Sequence, residues 1–160
     1  MPDIKSKNNF LTHYFGATVP YGNKSILSYY LKTNATGAAI NSDTATAIQD
    51  GDVIDLGELP EGFLMADAQV FVAVGMTATV TASLGFRYED GVDDDEVPQD
   101  ASYFINAGAD IATVGRVRAN GSTLVILPKP ARLIMTVGGA ANAKASDIRI
   151  VVCGELVGSK

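Results

Sequence analysis

Two acidic stretches hold most of the side chains that could do chemistry. GDVIDLGELPEG, residues 51–62, contains Asp52, Asp55, Glu58 and Glu61 and no basic residue; YEDGVDDDEVPQD, residues 88–100, contains seven carboxylates from Glu89 to Asp100. Carboxylates packed this closely suit Ca²⁺, a hard ion that takes about six to eight oxygen ligands. The spacing departs from the EF-hand loop, because Gly91 precedes Asp93 instead of following a third ligand. A solvated acidic loop is therefore the expectation for Glu89–Asp100, with no metal site assigned. In the first stretch, strand alternation sends Asp52 and Glu58 to the face opposite Asp55, which reads as the solvated margin of a sheet rather than a paired acid and base.

Other reactive groups are scarce. His13 is the single histidine and Cys153 the single cysteine, which removes most ways of building a Cys/His zinc site or a His-dependent triad. Cys153 reads as a small apolar residue in a strand and has no partner for an internal disulfide. No G-x-S-x-G elbow is present, and VGGAANA and NAGAD do not match the glycine-rich phosphate-binding patterns. The N-x-[ST] matches at Asn34 and Asn120 read as turns. No catalytic residue and no cofactor is expected, and the chain reads as a non-enzyme.

Charge narrows the partners. The 160 residues sum to −6, but residues 1–32 carry four lysines against one aspartate, +3, and residues 33–160 carry 8 basic against 17 acidic side chains, −9. An acidic body lacks the attraction to phosphate that dominates nucleic-acid affinity, so nucleic acid is set aside as a partner. No segment approaches the roughly 20 apolar residues of a membrane span, so no membrane partner is expected, and a soluble protein made in a cytosol is.

The elements that must position these groups are strands. In TATVTASLGFRY, residues 77–88, Ala78, Val80, Ala82, Leu84, Phe86 and Tyr88 alternate with Thr77, Thr79, Thr81, Ser83, Gly85 and Arg87, a period of two that predicts one long strand. SILSYYLK places Leu27, Tyr29 and Leu31 on one face, and DIRIVVCGELV places Ile148, Ile150, Val152 and Leu156 on one face. AQVFVAV, STLVILP and RLIMTVGG complete the apolar runs, each closed by turn residues. No window of ten residues shows a helical period. The expected fold is all-β, an antiparallel, jelly-roll-like β-sandwich over residues 25–160.

Residues 1–24 follow neither period. They mix Lys, Asn, Gly and Pro with Phe10, His13, Tyr14, Phe15 and Tyr21, more rings than a solvated tail needs. This segment reads as an extended N-terminal arm that orders against a partner or against its own domain.

The ordered layout of GDVIDLGELPEG, AQVFVAVGM, ATVTASLGFRYEDG, INAGAD and DIRIVVCGELV, spanning residues 47–157, resembles the head-decoration, or capsid cement, proteins of tailed bacteriophages and related β-rich virion proteins. The resemblance implies a jelly-roll-like sandwich, often trimeric, seated on the outer face of the capsid where it spans neighbouring major capsid protein subunits. It implies a virion location after synthesis in the cytoplasm of the bacterial host, and no catalytic residues. Carried onto this chain, the capsid-binding arm comprises Lys5, Lys7, Phe10, His13, Tyr14, Phe15, Tyr21 and Lys24, with the lysines facing an acidic capsid surface. Thr77, Thr79 and Thr81 are then candidates for packing against a second copy. A tail or fibre adhesin that binds a host glycan or protein is the alternative, and it requires exposed loop aromatics such as Tyr103 and Phe104.

Overall fold

The computed structural model of the chain describes residues 3–5 and 24–158. Every regular element among them is a strand: β1 (Asp3–Lys5), β2 (Lys24–Thr33), β3 (Val53–Leu59), β4 (Phe63–Val74), β5 (Thr81–Tyr88), β6 (Asp100–Asp110), β7 (Gly115–Arg118), β8 (Val125–Ile126), β9 (Ala131–Gly138) and β10 (Ser146–Leu156). One sheet has the order β1-β3-β9-β5-β6; the other has β2-β10-β4-β7, with β8 also paired to β4. Among the described strands all pairings are antiparallel except β1 with β3. The connections β2–β3, β3–β4, β4–β5, β6–β7, β8–β9 and β9–β10 each pass from one sheet to the other. The fold is the expected all-β, jelly-roll-like sandwich.

Alternation builds the core. Along β2, Leu27, Tyr29 and Leu31 are buried while Ile26 and Lys32 are exposed. Along β10, Ile148, Ile150, Val152 and Leu156 are buried, as the sequence pattern predicts. These residues meet Ile54 and Leu56 of β3, Leu84 and Phe86 of β5, and Leu133, Met135 and Val137 of β9 in one buried cluster. Each large apolar side chain removed from water there contributes about 2 kcal/mol. The Tyr29 hydroxyl crosses the sandwich to donate to the Glu58 carbonyl at 2.6 Å, and burial raises the phenol well above its ordinary pKa.

The N-terminal segment enters this architecture at both described ends. Ile4 of β1 is 1% exposed and belongs to the core, while β1 runs parallel beside β3 in the first sheet. Lys24, assigned by sequence to the arm, is the first residue of β2 in the second sheet.

The long strand expected from Thr77 starts at Thr81 instead. Thr77–Val80 is a turn in which the Val80 N–H donates to the Thr77 carbonyl at 3.1 Å and Thr79 adopts a φ of 70°. Asn142, 1% exposed, imposes this. Its Oδ1 accepts from the Thr77 N–H at 3.1 Å and hydroxyl at 3.2 Å, and its Nδ2 donates to Thr33 Oγ1 at 3.1 Å and the Lys144 carbonyl at 2.9 Å. The backbone passes so close that a Cβ on Gly37, whose φ is 85°, would sit 2.0 Å from the Asn142 carbonyl oxygen. One amide thus ties three loops together at one end of the sandwich.

Asn142→Ala leaves several of these buried groups without partners. It is expected to lower stability by about 2 to 4 kcal/mol, read as a fall in the urea midpoint with an unchanged slope; a loss below about 0.5 kcal/mol contradicts the structural role.

Candidate functional site

Only half of the first acidic stretch is the solvated margin its composition suggests: Glu58 and Glu61 are exposed, but the two aspartates are not. Asp52 and Asp55 are each 3% exposed. Asp52 Oδ2 accepts from the Gln49 N–H at 2.8 Å and organises the turn before β3. The pairing of β3 with β9 slips between Asp55 and Gly57, a bulge that brings Asp55 and Glu58 to the same outward face instead of opposite ones. There Arg132 Nε reaches Asp55 at 3.0 and 3.1 Å, Arg132 Nη2 lies 2.9 Å from Asp55, and Arg132 Nη1 lies 3.6 Å from Glu58. Arg87 bridges Asp55 at 3.7 Å and Asp3 at 2.6 Å. Asp3 belongs to β1, so this network fastens the N-terminal strand to the sheet. Asp3, Asp55 and Glu58 are thus matched by guanidinium groups, an arrangement that braces the sheet.

The second acidic stretch is a loop between β5 and β6 whose carboxylates serve its own backbone. Asp93 Oδ1 accepts from Asp94 and Gln99 N–H groups at 2.9 and 2.7 Å, and Asp94 Oδ1 accepts from Glu96 and Val97 at 3.0 and 2.9 Å. Lys129 Nζ clamps the loop's first turn, bonding both Asp90 oxygens at 3.1 and 2.8 Å and the Val92 carbonyl at 2.7 Å while lying 4.5 Å from the Tyr88 ring centroid. That bond holds the Asp90 carboxyl below its usual range. Burial, assisted by the charges of Asp94, Asp93 and Asp90, pushes the Tyr88 phenol up to about 12. Among the described residues no group of three His, Cys, Asp or Glu side chains is placed to hold a metal ion.

Of the expected capsid-binding residues, Lys5 and Lys24 are described and exposed, on different sheets; the Lys5 N–H donates to Asp43 at 3.1 Å. Lys7, Phe10, His13, Tyr14, Phe15 and Tyr21 lie outside the described residues. Tyr103 and Phe104, which an adhesin would need exposed, are 8% and 2% exposed on β6. Their rings pack edge to face at 4.8 Å, and the Tyr103 hydroxyl donates to the Thr123 carbonyl at 2.9 Å. Thr77 is likewise occupied with Asn142, so the threonine face expected to meet a second copy does not exist as drawn. Asn34 opens a turn, its Oδ1 accepting from Thr36 and Ala38, whereas Asn120 lies in the irregular segment after β7 with its Oδ1 accepting from Asn106 of β6. Cys153 is half-buried on β10, and burial followed by the nearby Asp67 charge raises its thiol pKa.

Register exposes a surface that sequence reading missed. Tyr30 pairs with Arg149, Arg149 with Phe71 and Phe71 with Arg116, so aromatic and guanidinium groups alternate in a row across four strands of the second sheet. The Arg149 guanidinium carbon lies 4.7 Å from the Tyr30 ring centroid and that of Arg116 lies 4.6 Å from the Phe71 centroid. The next row is Ser28, Val151, Gln69 and Arg118. Alternation in IRIVV marks Arg149 as outward-facing, but its neighbours depend on strand order, which a single sequence does not contain.

No family model matches the chain, and no curated protein matches it. Solved structures do. A chain from the capsid of Ralstonia phage GP4 is similar with a TM-score of 0.65 and 16% identity over 99% of this chain and 100% of that one. A chain from the capsid asymmetric unit of cyanophage Pam1 is similar with a TM-score of 0.53 and 16% identity over 94% and 98%. At such identity the shared property is the fold.

Arg132→Met strands the buried Asp55 with only the longer contact to Arg87. It is expected to cost about 3 kcal/mol in urea denaturation, and replacing Asp55 by Leu in the same chain should recover much of that loss. A single variant as stable as the parent would contradict the network's role.

Proposed function

We propose that this chain is a non-enzymatic structural protein of a phage virion that seats on the outer surface of the capsid and cements neighbouring major capsid protein subunits. The observation that carries the reading is the end-to-end correspondence of its fold with a chain of the Ralstonia phage GP4 capsid. The carboxylates that suggest catalysis or metal binding serve structural ends instead: Asp52 and Asp55 brace β3, and Asp90, Asp93 and Asp94 shape their loop. Attachment is multivalent. A homotrimer presents each contact three times, so the second and third contacts form at high effective concentration and weak individual grips suffice. The N-terminal segment, His13 included, supplies the grip, with Phe10, Tyr14, Phe15 and Tyr21 as aromatic anchors and Lys5, Lys7 and Lys24 facing an acidic capsid surface. Synthesis takes place in the host bacterial cytoplasm, before the protein joins the capsid exterior.

Sedimentation with purified capsid shells that lack the protein tests this. Truncation at Ser25 is a poor probe, because it also removes Ile4 from the core and Asp3 from Arg87. Replacing Phe10, Tyr14, Phe15 and Tyr21 by Ala leaves β1 in place. The parent should bind saturably, and each replacement should weaken binding by about 2 kcal/mol, roughly thirtyfold. A parent chain that stays in the supernatant overturns the decoration reading; full binding by the fourfold variant overturns the arm's part in it.

A further inference from the structure

The half of the second sheet's outward face away from Asp67 and Glu155 carries a positive excess that no salt bridge among the described residues offsets beyond one pair. Lys32, Arg149, Arg116 and Arg118 project from its upper rows against one carboxylate, Asp147, which Lys32 already holds at 3.1 Å. That gives +3 on one half-face of a chain whose total is −6. Among the described residues Arg116, Arg118 and Arg149 make no salt bridge. Arg149 and Arg116 lie over the Tyr30 and Phe71 rings, and a guanidinium over a ring keeps its in-plane N–H donors available to a carboxylate. Between them in the same row Phe71 supplies a half-buried apolar spot, and Val151, also half-buried, sits beside Arg149 in the next row.

The complementary surface lies on the same chain. In the loop after β5, Asp93, Asp95 and Glu96 are exposed and make no salt bridge among the described residues, and Val92 stands 61% exposed beside them. Lys129 and the loop's own hydrogen bonds set its shape in advance, which lowers the ordering cost of docking. An apolar residue ringed by carboxylates fits an apolar spot ringed by guanidinium groups.

We propose that this face is the docking site for the Val92–Glu96 loop of a second copy of the chain, with Val92 against Val151 and Phe71 and the carboxylates against Arg149, Arg116 and Arg118. Loop and face are different surfaces, so the contact is heterologous and propagates head to tail until rotation closes a ring. Three copies make the ring of the cement reading; the inference rests on the self-association in that reading and not on its capsid attachment.

Sedimentation velocity and mass photometry of the full-length protein test it. R116E/R149E places like charges opposite the loop, and D95K/E96K does the same from the other side. Each double variant should weaken self-association at least about tenfold, molar salt should weaken the parent's, and the chain carrying all four changes should associate nearly as the parent does. Thermal melting checks that each variant is folded, and R116Q/R149Q substitutes where charge reversal lowers the melting temperature. A parent that stays monomeric at all concentrations, association indifferent to both reversals, or no recovery in the fourfold chain overturns the proposal. The charge-swap pattern without shell binding leaves this interface standing and removes the cement reading; shell binding with association indifferent to charge does the reverse.

Discussion

The register of β10 between β2 and β4 is the constraint on which the rest depends. Ile148, Ile150 and Val152 must face inward to meet Leu27, Tyr29 and Leu31 and close the core, and a slip of one residue would turn all of them to solvent. The same pleat forces Arg149, Val151 and Cys153 outward. Because β4 and β7 continue the sheet in fixed register, the outward residues form rows, and the row Tyr30, Arg149, Phe71, Arg116 follows from the packing on the other side. Core and outer surface are two consequences of one alignment.

On the first sheet the binding forces are electrostatic as well as apolar. The bulge after Asp55 lets two carboxylates of β3 share one face with Arg132, and Arg87 extends the network to Asp3 of the parallel strand β1. A buried carboxylate held by two guanidinium groups is a costly arrangement to break one partner at a time. The parallel edge strand therefore has two independent fastenings, Ile4 in the core and Asp3 on the surface. Fold and function separate here: the sandwich gives rigid faces and loops, and what it does is decided by the groups displayed on them.

Much of the architecture was legible in the sequence, and the parts that were not share a cause. The strands β2 and β10 show one buried and one exposed face, so period two identified their inward residues without help from other segments. TATV carries the same period, yet Thr77–Val80 turns because Asn142, 65 residues away, takes the Thr77 hydroxyl and N–H. Asp55 reads as exposed because carboxylates usually are, but Arg132, 77 residues later, stands beside it to accept its burial. Tyr103 and Phe104 sit among polar residues and read as loop aromatics, whereas β6 directs them into the Phe86 cluster. Local pattern predicts local alternation; long-range polar partners and strand order lie beyond it.

An electron cryomicroscopy reconstruction of capsid shells incubated with the protein tests the central claim most directly. Density for a two-sheet sandwich should stand on the outer surface at junctions between major capsid subunits, with neighbouring copies joined through the face that bears Arg149. A reconstruction with bare outer surfaces at saturating protein, or with the sandwich found away from the shell, would contradict it.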